Sequence, residues 1–333
     1  MERTDFMTAP SSSEAREKPL ALIVAGPTAS GKSALALRLA EELKGTIINA
    51  DSLQVYRELS ILTARPSEEE RARAPHRLYG VLSVQENCSA GRWRQMALEE
   101  MQAAREEGRL PILVGGTGLY LKALEEGLYQ IPPVPPEVRA EAESLLASGQ
   151  RERLRQDLAI GDPATFARIH PNDSQRLLRA WEVLRATGRP LSQWQREAPE
   201  AVAPWRFAWI VLLPSREELH TSIERRLEVM IEKGGLEEVR RLLALQLPQS
   251  STAAKAVGVP ELAAHLEGAM NLAEAIKAAQ ASTRRYAKRQ LTWLRGQVLG
   301  RKAILFEVRA QFSDSVSAKI FPKILQFVLT LSP

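Results

Sequence analysis

A single cysteine, Cys88, stands among 333 residues, so the chain can form neither an internal disulfide nor a cysteine-rich zinc site. The four histidines, His76, His170, His220 and His265, share no metal-ligand spacing and read as structural or surface hydrogen-bonding groups. No run of about 18 apolar residues occurs, and Met1 to Lys18 hold Ser11-Ser12-Ser13 but no apolar signal core. These absences predict a cytoplasmic protein with a disordered tail over residues 1–17. Two further absences are local. No acid lies between Arg284 and Lys302, and the apolar run Leu110-Pro111-Ile112-Leu113-Val114 ends in Gly115, where an ATPase would place an Asp to hold Mg²⁺. The missing Asp weakens an ATPase reading.

What is present is ordinary globular material: 44% hydrophobic and 26% charged residues, enough for one large domain carrying a smaller one. A formal charge of +5 tilts the chain toward anionic partners. With 45 basic against 40 acidic residues, though, the distribution of charge matters more than its sum.

The chain is organised around Gly26-Pro27-Thr28-Ala29-Ser30-Gly31-Lys32-Ser33. Before it, Leu20 to Ala25 lacks polar alternation, as a strand buried on both faces of a parallel sheet does. After it, Leu35, Leu39 and Leu43 mark one helix face. Strand, glycine-bounded turn and helix follow in the order of a phosphate-binding loop, with backbone N–H groups and a helix N-terminus for a diphosphate, Lys32 as cation and Ser33 as a hydroxyl for Mg²⁺. The motif leaves open which phosphate ester is bound.

Thr46 to Asn49 reads as a second strand, which places Asp51 just past its carboxyl end, where it either faces the ligand crevice or caps the next turn. Ala64 to Arg77 reads as a loop with a short solvated helix, Arg94 to Glu107 as an amphipathic helix, and Leu110 to Val114 as a third buried strand. Its glycine-rich turn, Gly115-Gly116-Thr117-Gly118, should open on the same edge, with Thr117 either in the crevice or serving as a cap. The proline run Ile131 to Pro136 then leads stiffly into a charged, helix-rich segment, Glu137 to about Glu197, with no strand-like run. Phe207 to Leu213 resumes the strand pattern, Arg216 to Lys233 reads as a helix carrying Arg225-Arg226, and Ala303 to Val308 as a last strand.

On the predicted helix Leu272 to Leu299, Arg284, Lys288 and Arg295 share one face, with Arg285 and Arg289 beside them and Ala287, Leu294 and Val298 opposite. Without interspersed acids, that face favours a polyanion such as RNA or DNA, although a small anionic substrate would also suit it.

Six stretches then match one family in order: GPTASGKS from Gly26, DSLQVY from Asp51, APHRL from Ala74, LVGGTGLYLKAL from Leu113, IHPNDSQRLLRAWEV from Ile169 and RRYAKRQLTWLR from Arg284. They resemble the bacterial tRNA dimethylallyltransferases. These prenyltransferases move a dimethylallyl group from its diphosphate to the exocyclic amine of the adenosine 3′-adjacent to the anticodon. The resemblance implies an α/β fold: a P-loop NTPase-like parallel sheet flanked by helices, formed by 18–128 and 204–312, with an all-helical tRNA-binding insertion at 129–203. Residues 313–333 receive no assignment.

The resemblance further implies that Gly26, Pro27, Thr28, Ala29, Ser30, Gly31, Lys32 and Ser33 grip the diphosphate with Mg²⁺ at Ser33, assisted by Arg226. It implies that Asp51 is the general base and that Thr117 orients the amine and the diphosphate. Asp51, Ser52, Leu53, Gln54, Thr117, Arg139, Gln175, Arg176, Leu177, Leu178 and Arg179 correspond to tRNA contacts, joined by the basic face of Arg284, Lys288 and Arg295. The expected partners of a monomer are the tRNA anticodon stem-loop and dimethylallyl diphosphate, with no membrane. Leu62, where a glycine is usual, and Val257-Gly258-Val259-Pro260, in place of a common Gly-Tyr version, depart from the family pattern. A small-molecule or nucleoside kinase, a non-catalytic RNA-binding protein and a prenyltransferase acting on free adenine nucleotides are the alternatives. The first of these leaves the basic helix and the insertion unexplained.

Overall fold

Strand β1 (Leu20–Ala25) is the centre of a six-stranded sheet in which every pairing is parallel, in the order β3-β2-β4-β1-β5-β6. The computed structural model describes residues 18–197, 199, 202–248 and 251–331; the predicted disordered tail, residues 1–17, lies outside them. In chain order β1 is followed by α1 (Lys32–Glu42), β2 (Gly45–Asn49), α2 (Glu68–Arg73), β3 (His76–Arg77), α3 (Ala90–Glu106), β4 (Leu110–Gly115) and α4 (Gly118–Glu126). Helices α5 (Pro136–Ala147), α6 (Arg151–Gly161), α7 (Pro163–Phe166), α8 (Ser174–Thr187) and α9 (Leu191–Trp194) follow. The chain then returns through β5 (Arg206–Leu212), α10 (Arg216–Glu232), α11 (Gly235–Ala244), α12 (Val259–Leu266), α13 (Leu272–Gln297), β6 (Leu305–Val308) and α14 (Asp314–Leu329).

The unbroken apolar character of β1 has a direct cause. Side chains alternate across a strand: Ala21, Ile23 and Ala25 enter the apolar layer on one face, and Leu22 and Val24 the layer on the other. Trp93, Ala97 and Met101 of α3 and Leu294 of α13 pack into the first layer. Leu35 and Leu39 of α1 pack into the second. With both faces covered, no polar position is left in the strand.

Helix α14 occupies a stretch whose sequence suggested no element. Phe321, Ile324, Phe327 and Val328 enter the second layer. There the Phe327 ring lies 5.3 Å from that of Phe306 on β6, and the Arg38 guanidinium of α1 lies 4.0 Å over the Phe321 ring. Pro322 inside the helix hides it in the sequence, because proline removes an internal hydrogen bond and normally ends a helix.

Two compact units are present, one within Met1–Glu125 and Ala203–Pro333, the other Glu126–Val202. The second contains helices and no strand among its described residues. Its core joins Leu145, Leu154, Leu158, Leu177 and Trp181, and the Trp181 indole donates to Asp157 Oδ2 at 2.9 Å.

Candidate active site

From β1 the chain runs to β2 and β4 on one side and later to β5 and β6 on the other, so the carboxyl end of β1 is a topological switch point, where open parallel sheets leave a ligand crevice. Gly26 to Ser33 turns there. Gly31 caps α1 at φ 86°, and a Cβ at that position would lie 2.2 Å from the Phe312 carbonyl oxygen, so both the backbone angle and the packing require glycine. At Gly26 a Cβ would meet Ser30 Oγ at 2.6 Å.

The Lys32 ammonium donates to the carbonyl of Pro27, in its own loop, at 3.3 Å. Desolvation brings its pKa down to about 8, with Asp51 opposing the shift and Arg226 adding to it. Arg226, on α10, is likewise lowered by burial and supported by Asp51. Two cations therefore face one carboxylate beside the phosphate loop, an arrangement with room for further negative charge.

Asp51 serves both of the uses its position allowed. Its Oδ1 accepts from Leu53 N–H at 2.9 Å, which forms the turn, and among the described residues no group donates to Oδ2. Its backbone is fixed by the fully buried Asn49, whose Oδ1 accepts from Asp51 N–H at 2.8 Å and whose Nδ2 donates to Asp51 O and Leu78 O, each at 3.0 Å. The crevice beside Asp51 is lined by Thr28, Leu62, Thr63, Arg226, Met230 and Tyr286, among others.

The Thr117 side chain bonds the neighbouring turn rather than capping its own helix. Its hydroxyl accepts from Ser52 N–H at 3.0 Å and donates to Ser52 Oγ at 3.3 Å, which ties the second glycine turn to the Asp51 turn. The Tyr286 hydroxyl meets Thr117 from α13, and burial, followed by the Asp51 charge, raises the pKa of Tyr286. The glycines of this turn make way for neighbours: a Cβ on Gly115 would lie 2.1 Å from Ala50 O, on Gly116 2.1 Å from Gln290 Nε2, and on Gly118 2.3 Å from the Trp293 ring.

Sequence reasoning missed Gln290 and gave Tyr286 no role. Gln290, 5% exposed, bridges the two glycine loops: Oε1 accepts from Thr28 N–H at 2.8 Å and Nε2 donates to Gly116 O at 3.1 Å. A signal for it existed, because it interrupts the buried stripe of Ala287 and Leu294 with an amide.

Arg284, Lys288 and Arg295 line a different cavity. With Arg216 and His220 of α10 they border a groove of about 630 Å³. A seam of Leu219, Ile223 and Ala287, packed with Ala29 and Leu291, runs between α10 and α13 beside it. The one ion pair on this face links Arg284 to Glu224 at 3.3 Å among the described residues.

In the helical unit, Arg139, Gln175, Arg176 and Arg179 are exposed. Leu177 is not: it is fully buried in that unit's core. This corrects its place among the side chains expected to touch tRNA, since α8 needs an apolar face for packing. Among the described residues no group of three or more His, Cys, Asp or Glu could hold a metal. His76 and His265 instead bond the carbonyls of Ala74 and Met270 at 2.8 and 3.1 Å. No described helix is long and apolar enough to cross a membrane.

The IPP transferase family model matches residues 54–297. A tRNA dimethylallyltransferase of Rhodospirillum centenum is 55% identical over 278 residues, covering 83% of this chain and 88% of that protein. Another, of Parvibaculum lavamentivorans, is 50% identical over 94% of this chain and 98% of its own. The crystal structure of a tRNA isopentenylpyrophosphate transferase from Bacillus halodurans superposes with a TM-score of 0.66 at 32% identity, covering 95% of this chain and 98% of that one. The fold is also that of a eukaryotic dimethylallyltransferase acting on tRNA, with a TM-score of 0.80 at 24% identity, over 95% of this chain and 80% of that one.

Proposed function

The chain belongs to the IPP transferase family, and on that premise we propose that it transfers a dimethylallyl group from dimethylallyl diphosphate to the exocyclic amine of the tRNA adenosine 3′-adjacent to the anticodon. The observation that carries this reading is that Asp51 and Arg226 line one crevice beside the phosphate loop, with Lys32 of that loop within the electrostatic reach of both. The amine nitrogen attacks the allylic carbon, the carbon–oxygen bond breaks with its electron pair going to the diphosphate, and the amine proton passes to Asp51. Lys32, Arg226 and the loop N–H groups of residues 26–33 hold the oxygen on which charge develops, which lowers the barrier. Thr117 and Tyr286 border the place of the amine. The target base must leave its stack to reach the crevice.

Ser33, exposed at the start of α1, offers a single hydroxyl. That donor set suits Mg²⁺, which keeps water and takes phosphate oxygens rather than an all-protein cage; when bound, the ion neutralises part of the diphosphate charge. A monomer acting in the cytoplasm fits this role.

For the tRNA we assign Asp51 to Gln54, Arg139, Gln175, Arg176, Leu178 and Arg179, with the α10–α13 groove of Arg216, Arg284, Lys288 and Arg295 taking backbone phosphates. Each lysine or arginine that neutralises a phosphate releases counterions. Replacing Lys288 and Arg295 together by Ala is therefore expected to lower the slope of log affinity against log salt by about 1.5, with KM for the prenyl diphosphate unchanged, as filter binding across a salt series and steady-state kinetics would record.

The Lys32 value near 8 gives a signed pH prediction. The bound diphosphate raises the pKa of this ammonium, so above about pH 8 binding must take up a proton. Affinity for dimethylallyl diphosphate should be level from pH 7 to 8 and then weaken by up to about tenfold per pH unit. Calorimetric titration over pH 7–10 reads this directly, and the slope should vanish in Lys32→Met.

The reaction itself is tested by incubating purified protein, Mg²⁺ and unmodified bulk tRNA with dimethylallyl diphosphate, followed by nucleoside mass analysis, beside an arm with ATP and free nucleosides. A prenylated adenosine in the first arm is the expected product. ATP turnover alone would favour a kinase.

A further inference from the structure

Helix α11 carries a carboxylate that the reaction above does not use. Glu238 is 1% exposed, yet both of its oxygens are occupied by a single short loop. Oε2 accepts from Ser60 N–H at 2.8 Å, Ser60 Oγ at 2.9 Å and Ile61 N–H at 2.8 Å, and Oε1 accepts from Leu62 N–H at 2.9 Å. Three consecutive backbone N–H groups turned to one anion form a nest. A buried charge persists only with such complete hydrogen bonding, and the Arg65 guanidinium lies near enough to be stabilised by it.

The loop is tight as well as anchored. Ala64 N–H donates to Ile61 O and Arg65 N–H to Ser60 O, both at 2.9 Å. The Thr63 hydroxyl closes on Leu59 O at 2.7 Å. Helix α11 begins hard against it: a Cβ on Gly235 would lie 3.3 Å from Leu62 Cδ2 and 2.8 Å from Met230 O.

The other side of the loop faces the crevice. Thr63 O accepts from Arg226 Nη2 at 3.2 Å and from Gln54 Nε2 at 2.8 Å, and Leu62 and Thr63 line the crevice wall beside Asp51. Its N–H groups are thus held by Glu238 while the next carbonyl holds Arg226. An Arg side chain carries considerable rotamer freedom, and a fixed acceptor removes part of it before the anion arrives.

We propose that Glu238 is a positioning residue which, by holding Ser60 to Leu62, fixes the Thr63 carbonyl that aims Arg226 at the substrate diphosphate. This role rests on the prenyl-transfer reading given above.

The test is a double-mutant cycle on the full chain, read as the Kd for inorganic diphosphate by calorimetry and as the split between KM and kcat for the prenyl diphosphate. Glu238→Gln keeps the size of the side chain but turns an NH₂ group toward N–H donors. It should weaken diphosphate binding and raise KM by about tenfold, with a smaller change in kcat. In an Arg226→Ala background the same substitution should add less than about twofold, because coupled positions are not additive. Should Glu238→Gln melt without cooperativity, Ser60→Ala, which removes one of the four bonds, enters the same cycle with an expected threefold effect. An unchanged Kd in Glu238→Gln, or full additivity with Arg226→Ala, overturns the positioning role while leaving the reaction intact. Wild-type protein that binds no diphosphate and prenylates no tRNA overturns both.

Discussion

Asp51→Asn should lower turnover by roughly two to four decades while leaving tRNA and diphosphate affinity within a few fold. The substitution suits the geometry. Oδ1 of the aspartate accepts from Leu53 N–H at 2.9 Å, and an asparagine oxygen can keep that bond, so the turn after β2 should persist. What is lost is the second oxygen as a proton acceptor, together with the negative charge between Lys32 and Arg226. Asp51 raises the Lys32 pKa against desolvation, so the variant should also move the alkaline fall in diphosphate affinity to lower pH. Single-turnover rapid quench with saturating substrates, alongside tRNA and diphosphate titrations, separates chemistry from binding. Near-full turnover in Asp51→Asn would remove the general base from the mechanism.

The second large effect belongs to Lys32→Met. The thioether side chain preserves the apolar stem and removes the cation. Among the described residues its ammonium bonds only the Pro27 carbonyl of its own loop, at 3.3 Å, so the fold should survive its loss. The departing diphosphate would then lack this cation while keeping Arg226 and the loop amides. Removing one such preorganised donor costs about two to three decades in kcat in enzymes that stabilise a developing oxyanion, and a loss of that size is expected here. KM for the prenyl diphosphate should rise as well, because the bound ground state already carries the charge. Steady-state kinetics resolves the two; a variant with raised KM and undiminished kcat would confine Lys32 to substrate capture.

Much of this site is legible in the chain because its determinants are local. The apolar run of β1 reflects burial on both faces, the spacing of Gly26 and Gly31 reflects a loop that needs a left-handed turn at Gly31, and Asp51 follows β2 directly. Long-range packing was not legible. The contact that excludes a side chain at Gly31 comes from Phe312, and nothing near either residue announces it. The basic face of α13 could be read from helical periodicity, but its separation from the Asp51 crevice depends on where α10 lies. Gln290 sat in view within a buried stripe, a polar interruption whose partners, Thr28 and Gly116, belong to distant loops. Leu177 illustrates the opposite hazard: a stretch matched to a binding function still obeys the packing of its own helix. Helix α14 was concealed by Pro322 although its phenylalanines and isoleucines fall at helical spacing.

The central claim is that one crevice couples departure of a diphosphate to alkylation of a tRNA base. The measurement that tests it most directly is a rapid-quench single turnover in which released diphosphate and prenylated adenosine are quantified in the same sample, with and without tRNA. Equal amounts of the two products rising with one rate constant, and almost no diphosphate released when tRNA is omitted, is the predicted result. Diphosphate released at the same rate without tRNA, with no prenylated adenosine formed, would contradict the account and leave a hydrolase in its place.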